Sequence, residues 1–419
     1  MAEATSVRGD RRPMIALLGA EGISQIGNTM TIVAGPWFVL QTTGSAARTG
    51  IVGAALAIGA VVPALLGGPL VDRLGFKRAS VFADLTCAGL IAAVPLLHLA
   101  GALEFWHLLL LVFLLSSVNS QGDTARFALV PFLARRAVMP IERVNAADRA
   151  VVRLGQVAGP LVAAGLIVAI GAVNVLFVDA ATFSLSAILV AIGVPKAANQ
   201  SRTGTVEGGR RYFSELVEGL RFVRASGFLL SMVLVATLGN FMDKPLISVI
   251  APVYAKTVYG TPTSLGVVVG AFGVGALVGS LVFGAVGKDW PRRLTFLSCF
   301  SAGPLVIYGT LATTPPLPIL AAAAVIGGLI FGPVNAVFAT IVQENTRPEM
   351  LGRVFGALTA LAFAGVPIGA ALTGFAIQGL GLVPTIVGMG AIYVANTLAM
   401  FLNPALKRMD EARERVDGS

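Results

Sequence analysis

Four carboxylic acids and one amine fall inside long apolar stretches of this 419-residue chain: Glu21, Asp84, Asp179, Asp243 and Lys244. An ionisable group in hydrocarbon is costly to keep, so each one calls for a functional account as a proton carrier or a ligand for charge. Glu21 lies about 10 Å along its stretch from Met14, at ~1.5 Å per helical residue, and Gln25 and Asn28 continue its face one and two turns on. Asp243 and Lys244 sit deep in another stretch, followed at once by Pro245, whose missing N–H frees backbone groups locally. Glu21 and Asp243 read as proton carriers, Lys244 as the charge that tunes Asp243, and Gln25, Asn28 and Phe241 as cavity residues. The competing reading has Asp243 and Lys244 pairing with charges on neighbouring helices and serving folding. Asp84, close to Arg78, reads as a structural partner of loop arginines, and Asp179 as structural too.

The elements that must carry these groups follow from composition. The chain is 56% hydrophobic and 12% charged, where a soluble domain has about 25% charged residues. Apolar runs fall at 14–40, 48–70, 79–99, 105–125, 149–170 and 174–194, then at 227–255, 264–286, 293–311, 317–342, 354–377 and 383–403. Runs of about 20 residues read as membrane-spanning helices, giving an all-α membrane protein of six plus six helices. The net charge of +9 does not point to nucleic acid, because the basic residues flank the apolar runs. Cys87 and Cys299 lie within runs and His98 and His107 flank one loop, so neither a disulfide nor a metal site is expected. No phosphate-binding glycine loop occurs, and no catalytic constellation of an enzyme is seen.

Charge sets orientation. With the N-terminus inside, every basic residue but Arg48, Lys244 and Lys256 falls in a cytoplasmic segment, as the positive-inside rule requires. Residues 1–13 form a cytoplasmic tail, 14–195 a first six-helix bundle, 196–226 a linker, 227–404 a second bundle and 405–419 a cytoplasmic tail. In the linker, Phe213, Leu216, Val217, Leu220 and Val223 recur at helical spacing and predict an amphipathic helix. At one constant offset Pro36 falls on Pro252, Gly44 on Gly260, Gly50 on Gly266, Gly59 on Gly275 and Gly68 on Gly284, the mark of a duplicated bundle.

Three motifs carry a resemblance. Gly68-Pro-Leu-Val-Asp72-Arg73-Leu-Gly75-Phe-Lys77-Arg78 resembles the loop between helices 2 and 3 of the major facilitator superfamily, with Phe76 where a basic residue is usual. Gly155-x-x-x-Gly159-Pro160 resembles the helix 5 signature of its antiporters, with Ala163 and Ala164 in place of a glycine pair. Gly365-Val366-Pro367-Ile368-Gly369 echoes it in the second half. Arg126-Phe-Ala-Leu-Val-Pro131, Asn145-Ala146 and Glu218-Gly-Leu-Arg-Phe-Val223 are similar to the drug:proton antiporter branch of macrolide-efflux, Tap multidrug-efflux and enterobactin-export proteins.

That resemblance implies a major facilitator fold and a proton-coupled secondary exporter of amphipathic small molecules, by multidrug efflux and alternating access. The alternative is a dedicated exporter of one metabolite, such as a siderophore or peptide antibiotic. It implies no cofactor, the proton gradient as energy source, a monomer in a bacterial inner membrane, and a drug or metabolite as partner. It also implies that Asp72 latches near Leu351 to Arg353, with Arg126 or Arg353 adding an ion pair.

Overall fold

The computed structural model describes residues 10–66, 74–196, 217–287, 290–346 and 350–407. Among them are twelve long helical segments and no strand: α1 (Arg12–Thr43), α2 (Ala46–Leu66), α3 (Phe76–Leu99), α4 (Phe105–Arg136), α5 (Ile141–Ile170), α6 (Ala172–Gly193), α7 (Gly227–Tyr259), α8 (Pro262–Val286), α9 (Arg292–Ala312), α10 (Leu317–Glu344), α11 (Leu351–Leu380) and α12 (Leu382–Leu402). Ten of these are long and apolar enough to cross a membrane, and α2 adds a shorter apolar segment, Ala46–Val61. Single glycines with φ of 83° and 93°, Gly171 and Gly381, join α5 to α6 and α11 to α12. A Cβ at either would strain a connection one residue long.

The largest departure from the sequence reading is in α4. The apolar run ends near residue 125, which places Arg126 in a cytoplasmic loop, yet the helix continues to Arg136 and Arg126 is buried within it. Within the polar stretch that follows the apolar run, Asn119 and Arg126 find partners on neighbouring helices, so hydropathy ends the span too early.

The described residues divide into two compact units, one of residues 1–34 and 58–208, the other of residues 35–57 and 209–419. In the first, α3 packs on α4 and α6. The glycine strip of α5 lies directly on α1, with Gly155 against Gln25 and Ile26, and Gly159 against Thr29. Bare glycines let the two backbones approach, and the Thr29 hydroxyl donates to the carbonyl of Gly155 at 3.0 Å. A second close approach sets Gly27 of α1 on Asp179 and Thr182 of α6.

The second unit repeats the device. Gly365 and Gly369 of α11 lie on Thr237 and Phe241 of α7, and the Thr237 hydroxyl donates to the carbonyl of Leu361 at 3.0 Å. Gly275 and Gly279 of α8 face Val325 and Leu329 of α10, while Gly328 and Gly332 face back onto Phe272 and Ala276. The second half of α7 widens into two π-helical turns, Leu246–Ile250 just after Pro245 and Ala255–Tyr259 at its end, on either side of Pro252. Neither proline has an N–H to give to the ladder, so the turns that surround them loosen. Of the expected amphipathic linker helix, residues 217–225 are helical, with Val223 buried, Val217 exposed and Gly219 on the backbone of Arg353, while Phe213 and Leu216 lie outside the described residues.

Candidate functional site

Each unit holds a buried polar constellation among its described residues. In the first, the guanidinium of Arg126 on α4 meets three carboxylates at once. Its Nε lies 2.8 Å from Glu21 on α1, its Nη1 2.8 Å from Asp84 on α3, and its Nη2 2.7 Å from Asp123 one turn earlier on α4. Ser186 of α6 donates to the other oxygen of Asp84 at 2.7 Å, and Gln25 donates to the other oxygen of Glu21 at 3.0 Å. Four helices therefore converge on one cation. The planar fork of arginine, with donors on three nitrogens, is the side chain that serves three acceptors in different directions. The Arg126 side chain is 3% exposed and that of Asp84 2%, whereas Asp123 is 43% exposed and reaches water. Opposite charges this deep compensate one another's desolvation, but three carboxylates against one guanidinium leave negative charge in excess.

This geometry relocates two expected roles. Arg126 does not belong to a surface loop beside Lys77 and Arg78, but anchors the interior of its unit. Asp84 pairs with this helical arginine, not with loop arginines. Glu21 and Gln25 join the same network, and Asn28 continues it by donating to Asn119 of α4 at 3.4 Å. Gly68, Asp72 and Arg73 lie outside the described residues, and with them the latch expected at Asp72. Gly75 has φ 79° and precedes α3. Lys77 donates to the carbonyls of Ala191 and Val194, at 2.7 and 2.5 Å, capping the negative end of α6. Gly155 and Gly159 form the seam on α1, and Pro160 is buried beside them.

In the second unit, Asp243 and Lys244 of α7 line a cavity of about 310 Å³. Its other walls include Tyr254 and Asn240 of α7, Phe272 of α8, Phe331 and Asn335 of α10, and Phe363 of α11. The Lys244 ammonium stands 5.6 Å from the centre of the Phe363 ring, within cation–π range. One carboxylate oxygen of Asp243, Oδ2, is 3.4 Å from the hydroxyl of Tyr393, which also has the carbonyl of Phe300 at 3.1 Å. The other, Oδ1, is buried with no hydrogen-bond partner among the described residues. Phe241, expected at a cavity, is not one of its walls; it packs partly buried against the core, under Gly365 and Gly369.

Comparison with known proteins places this architecture. The profile of the Major Facilitator Superfamily matches residues 17–261 and 229–417. The chain belongs to the Major Facilitator Superfamily. A relative in this superfamily, the multidrug efflux pump Tap of Mycolicibacterium fortuitum, is 31% identical over 96% of this chain and 98% of its own. Macrolide efflux protein A of Streptococcus pyogenes is 24% identical over 86% of this chain and 88% of its own. The crystal structure of a D323A mutant of the nucleoside transporter NupG, 14% identical, superposes with a TM-score of 0.72 over 93% of this chain and 99% of that one. The chain is thus a multi-pass membrane transporter of the superfamily and not an enzyme.

Several residues of these constellations escape a reading by sequence. Asp123 is detectable in retrospect, three residues before Arg126 on one helical face. Ser186 and Ser24, whose hydroxyl lies 3.5 Å from Nη2 of Arg126, are small hydroxyls in apolar runs and carry no such signal. Tyr393 is a lone phenol in the apolar stretch of α12, and only the fold brings it to Asp243.

Proposed function

We propose that this chain is a proton-coupled exporter of amphipathic small molecules, a multidrug antiporter working by alternating access. The observation that carries the reading is the bare carboxylate oxygen of Asp243 in an aromatic-walled cavity. A buried acceptor without a donor is costly to maintain, and either a proton or the cationic head of a ligand supplies what it lacks. Proton and ligand then exclude each other at one oxygen, and such competition couples the entry of one to the exit of the other. Aromatic faces suit the apolar body of the ligand and its cation. The Arg126 cluster supports the reading in the first unit, since its surplus of carboxylates gives a second place for a proton. The names of the relatives, a multidrug efflux pump and a macrolide efflux protein, agree in substrate class. In this reading the protein acts as a monomer in a bacterial inner membrane with both termini cytoplasmic, needs no cofactor, and draws its energy from the proton gradient.

The test is transport by purified protein in proteoliposomes with an imposed proton gradient, following internal pH as a macrolide, a tetracycline, an aminoglycoside, a fluorescent cation and a catecholate siderophore are added in turn. Proton flux with several unrelated compounds is expected. Flux with the siderophore alone would replace the multidrug reading with a dedicated exporter, and compound movement without proton flux would remove the coupling.

A further inference from the structure

The Arg126 cluster is not the end of the polar chemistry in the first unit. Asp179 on α6 is 0% exposed and has no cation within ion-pair distance among the described residues. Its surroundings are hydroxyls. Thr31 of α1 donates to Oδ2 at 2.5 Å, and Thr182, one turn on along α6, has its Oγ1 3.1 Å from Oδ1. That hydroxyl also lies 2.8 Å from the carbonyl of Asp179 itself. Thr182 has one proton to give. If it goes to Oδ1, the carboxylate is ionised and accepts two hydrogen bonds. If it goes to the backbone carbonyl, Thr182 Oγ1 turns into an acceptor, and a protonated Oδ1 donates to it. The same heavy atoms satisfy both protonation states by rotating one hydroxyl.

Two polar stripes run between this carboxyl and the arginine cluster. On α1, Glu21, Ser24, Gln25, Asn28 and Thr31 succeed one another at helical spacing. On α6, Asp179, Thr182 and Ser186 do the same, and Ser186 ends on Asp84. Gly27 presses on both Asp179 and Thr182, so α1 and α6 touch where the stripes meet. Other charged and titratable groups that face α6 are Asp84 of α3 and Arg126 of α4 at Ser186, Lys77 of α3 at the carbonyls of Ala191 and Val194, and Cys87 of α3, which lies in the electrostatic range of both Asp84 and Asp179. Asp148 of α5 lies in the electrostatic range of Glu21. Among the described residues no cation pairs with Asp179.

We propose that Asp179 is a proton-binding site, linked to the Arg126 cluster through the hydroxyl and amide stripes of α1 and α6. The step takes a proton from the cluster side onto Oδ1 and returns it, with Thr182 turning its hydroxyl each time. The link to transport rests on the proposed proton-coupled function, but the site itself does not.

The experiment separates the two. Infrared difference spectra of the purified full chain between acidic and alkaline buffer are recorded for the wild type, Asp179→Asn, Thr182→Val and Thr182→Ser. A protonated buried carboxyl gives its own C=O band. The band is expected in the wild type, absent in Asp179→Asn, shifted in frequency and in pH midpoint by Thr182→Val, and restored by Thr182→Ser. Asp179→Asn is further expected to lower the number of protons released when a transported compound binds. Identical difference spectra for the wild type and Asp179→Asn would overturn the site. A band that responds to Thr182 with no proton flux in wild-type vesicles would keep the site and sink the coupled-export reading instead. If Asp179→Asn does not fold, an unmoved band in Thr182→Val overturns the proposal.

Discussion

At the scale of single residues, Arg126 is where the first unit has the most to lose. Its three nitrogens hold Glu21, Asp84 and Asp123. Removing the guanidinium as Arg126→Gln leaves buried carboxylates without a counter-charge, a change that typically costs about 3–5 kcal/mol. The expected result is a large fall in the melting temperature of the purified protein. Arg126→Lys should recover only part of it, because one ammonium cannot be shared along three directions. Asp243 makes the opposite prediction, since one of its oxygens has no partner to lose. Asp243→Asn should fold as the wild type does, and the difference should lie in ligand binding. For a cationic amphiphile, wild-type affinity is expected to fall as pH falls, because protonation removes the negative charge that holds the cation. In Asp243→Asn affinity should be weaker and flat with pH by equilibrium fluorescence titration. A wild-type slope retained in the variant would exclude Asp243 as the shared oxygen.

At the scale of elements, the seams between helices are the sensitive places. A Cβ at Gly159 would run into Thr29, whereas Gly165, further along α5, has open space around it. Gly159→Ala is expected to cost about 1–3 kcal/mol by forcing the helices apart, and Gly165→Ala to be neutral or slightly stabilising, as alanine is the better helix former. Thermal unfolding of both variants in one detergent decides the comparison, and equal melting temperatures would refute the seam. Helix number, the helical end of the linker and the glycine strip are all legible in the sequence, because long apolar runs and four-residue spacings need no tertiary knowledge. Arg126 was not legible as a buried anchor. Its flank reads as polar, and only the arrival of Glu21, Asp84 and Ser186 from three other helices makes that polarity internal. Lys77 was legible as a charge at a helix start but not as the cap of α6, because its acceptors are carbonyls more than a hundred residues away. Asp72 itself falls outside the described residues, so its expected latch rests on the resemblance alone.

At the scale of the whole molecule, the superfamily and its fold follow from agreement among independent features: twelve helical segments, glycine seams repeated in both units, and relatives matched over nearly the whole chain. Coupling belongs to this scale as well. In cells that express the chain, collapsing the proton gradient with an uncoupler is expected to raise the accumulation of a fluorescent cationic substrate to the level of cells without it. Unchanged efflux would point to another energy source.

The aromatic cavity is walled by side chains of five helices, α7 to α11, while the helices themselves are held by backbone meeting backbone at glycine. Where the two kinds of contact overlap, Gly328 meets only the backbone of Phe272, Gly303 the Cβ and backbone of Phe331, and Gly327 the side chain of Ile307. Under selection by a new drug, replacements at Phe272, Phe331 or Phe363 can reshape what is exported without loosening the frame, and resistance should therefore spread by tinkering with rings long before any glycine of the seams is touched.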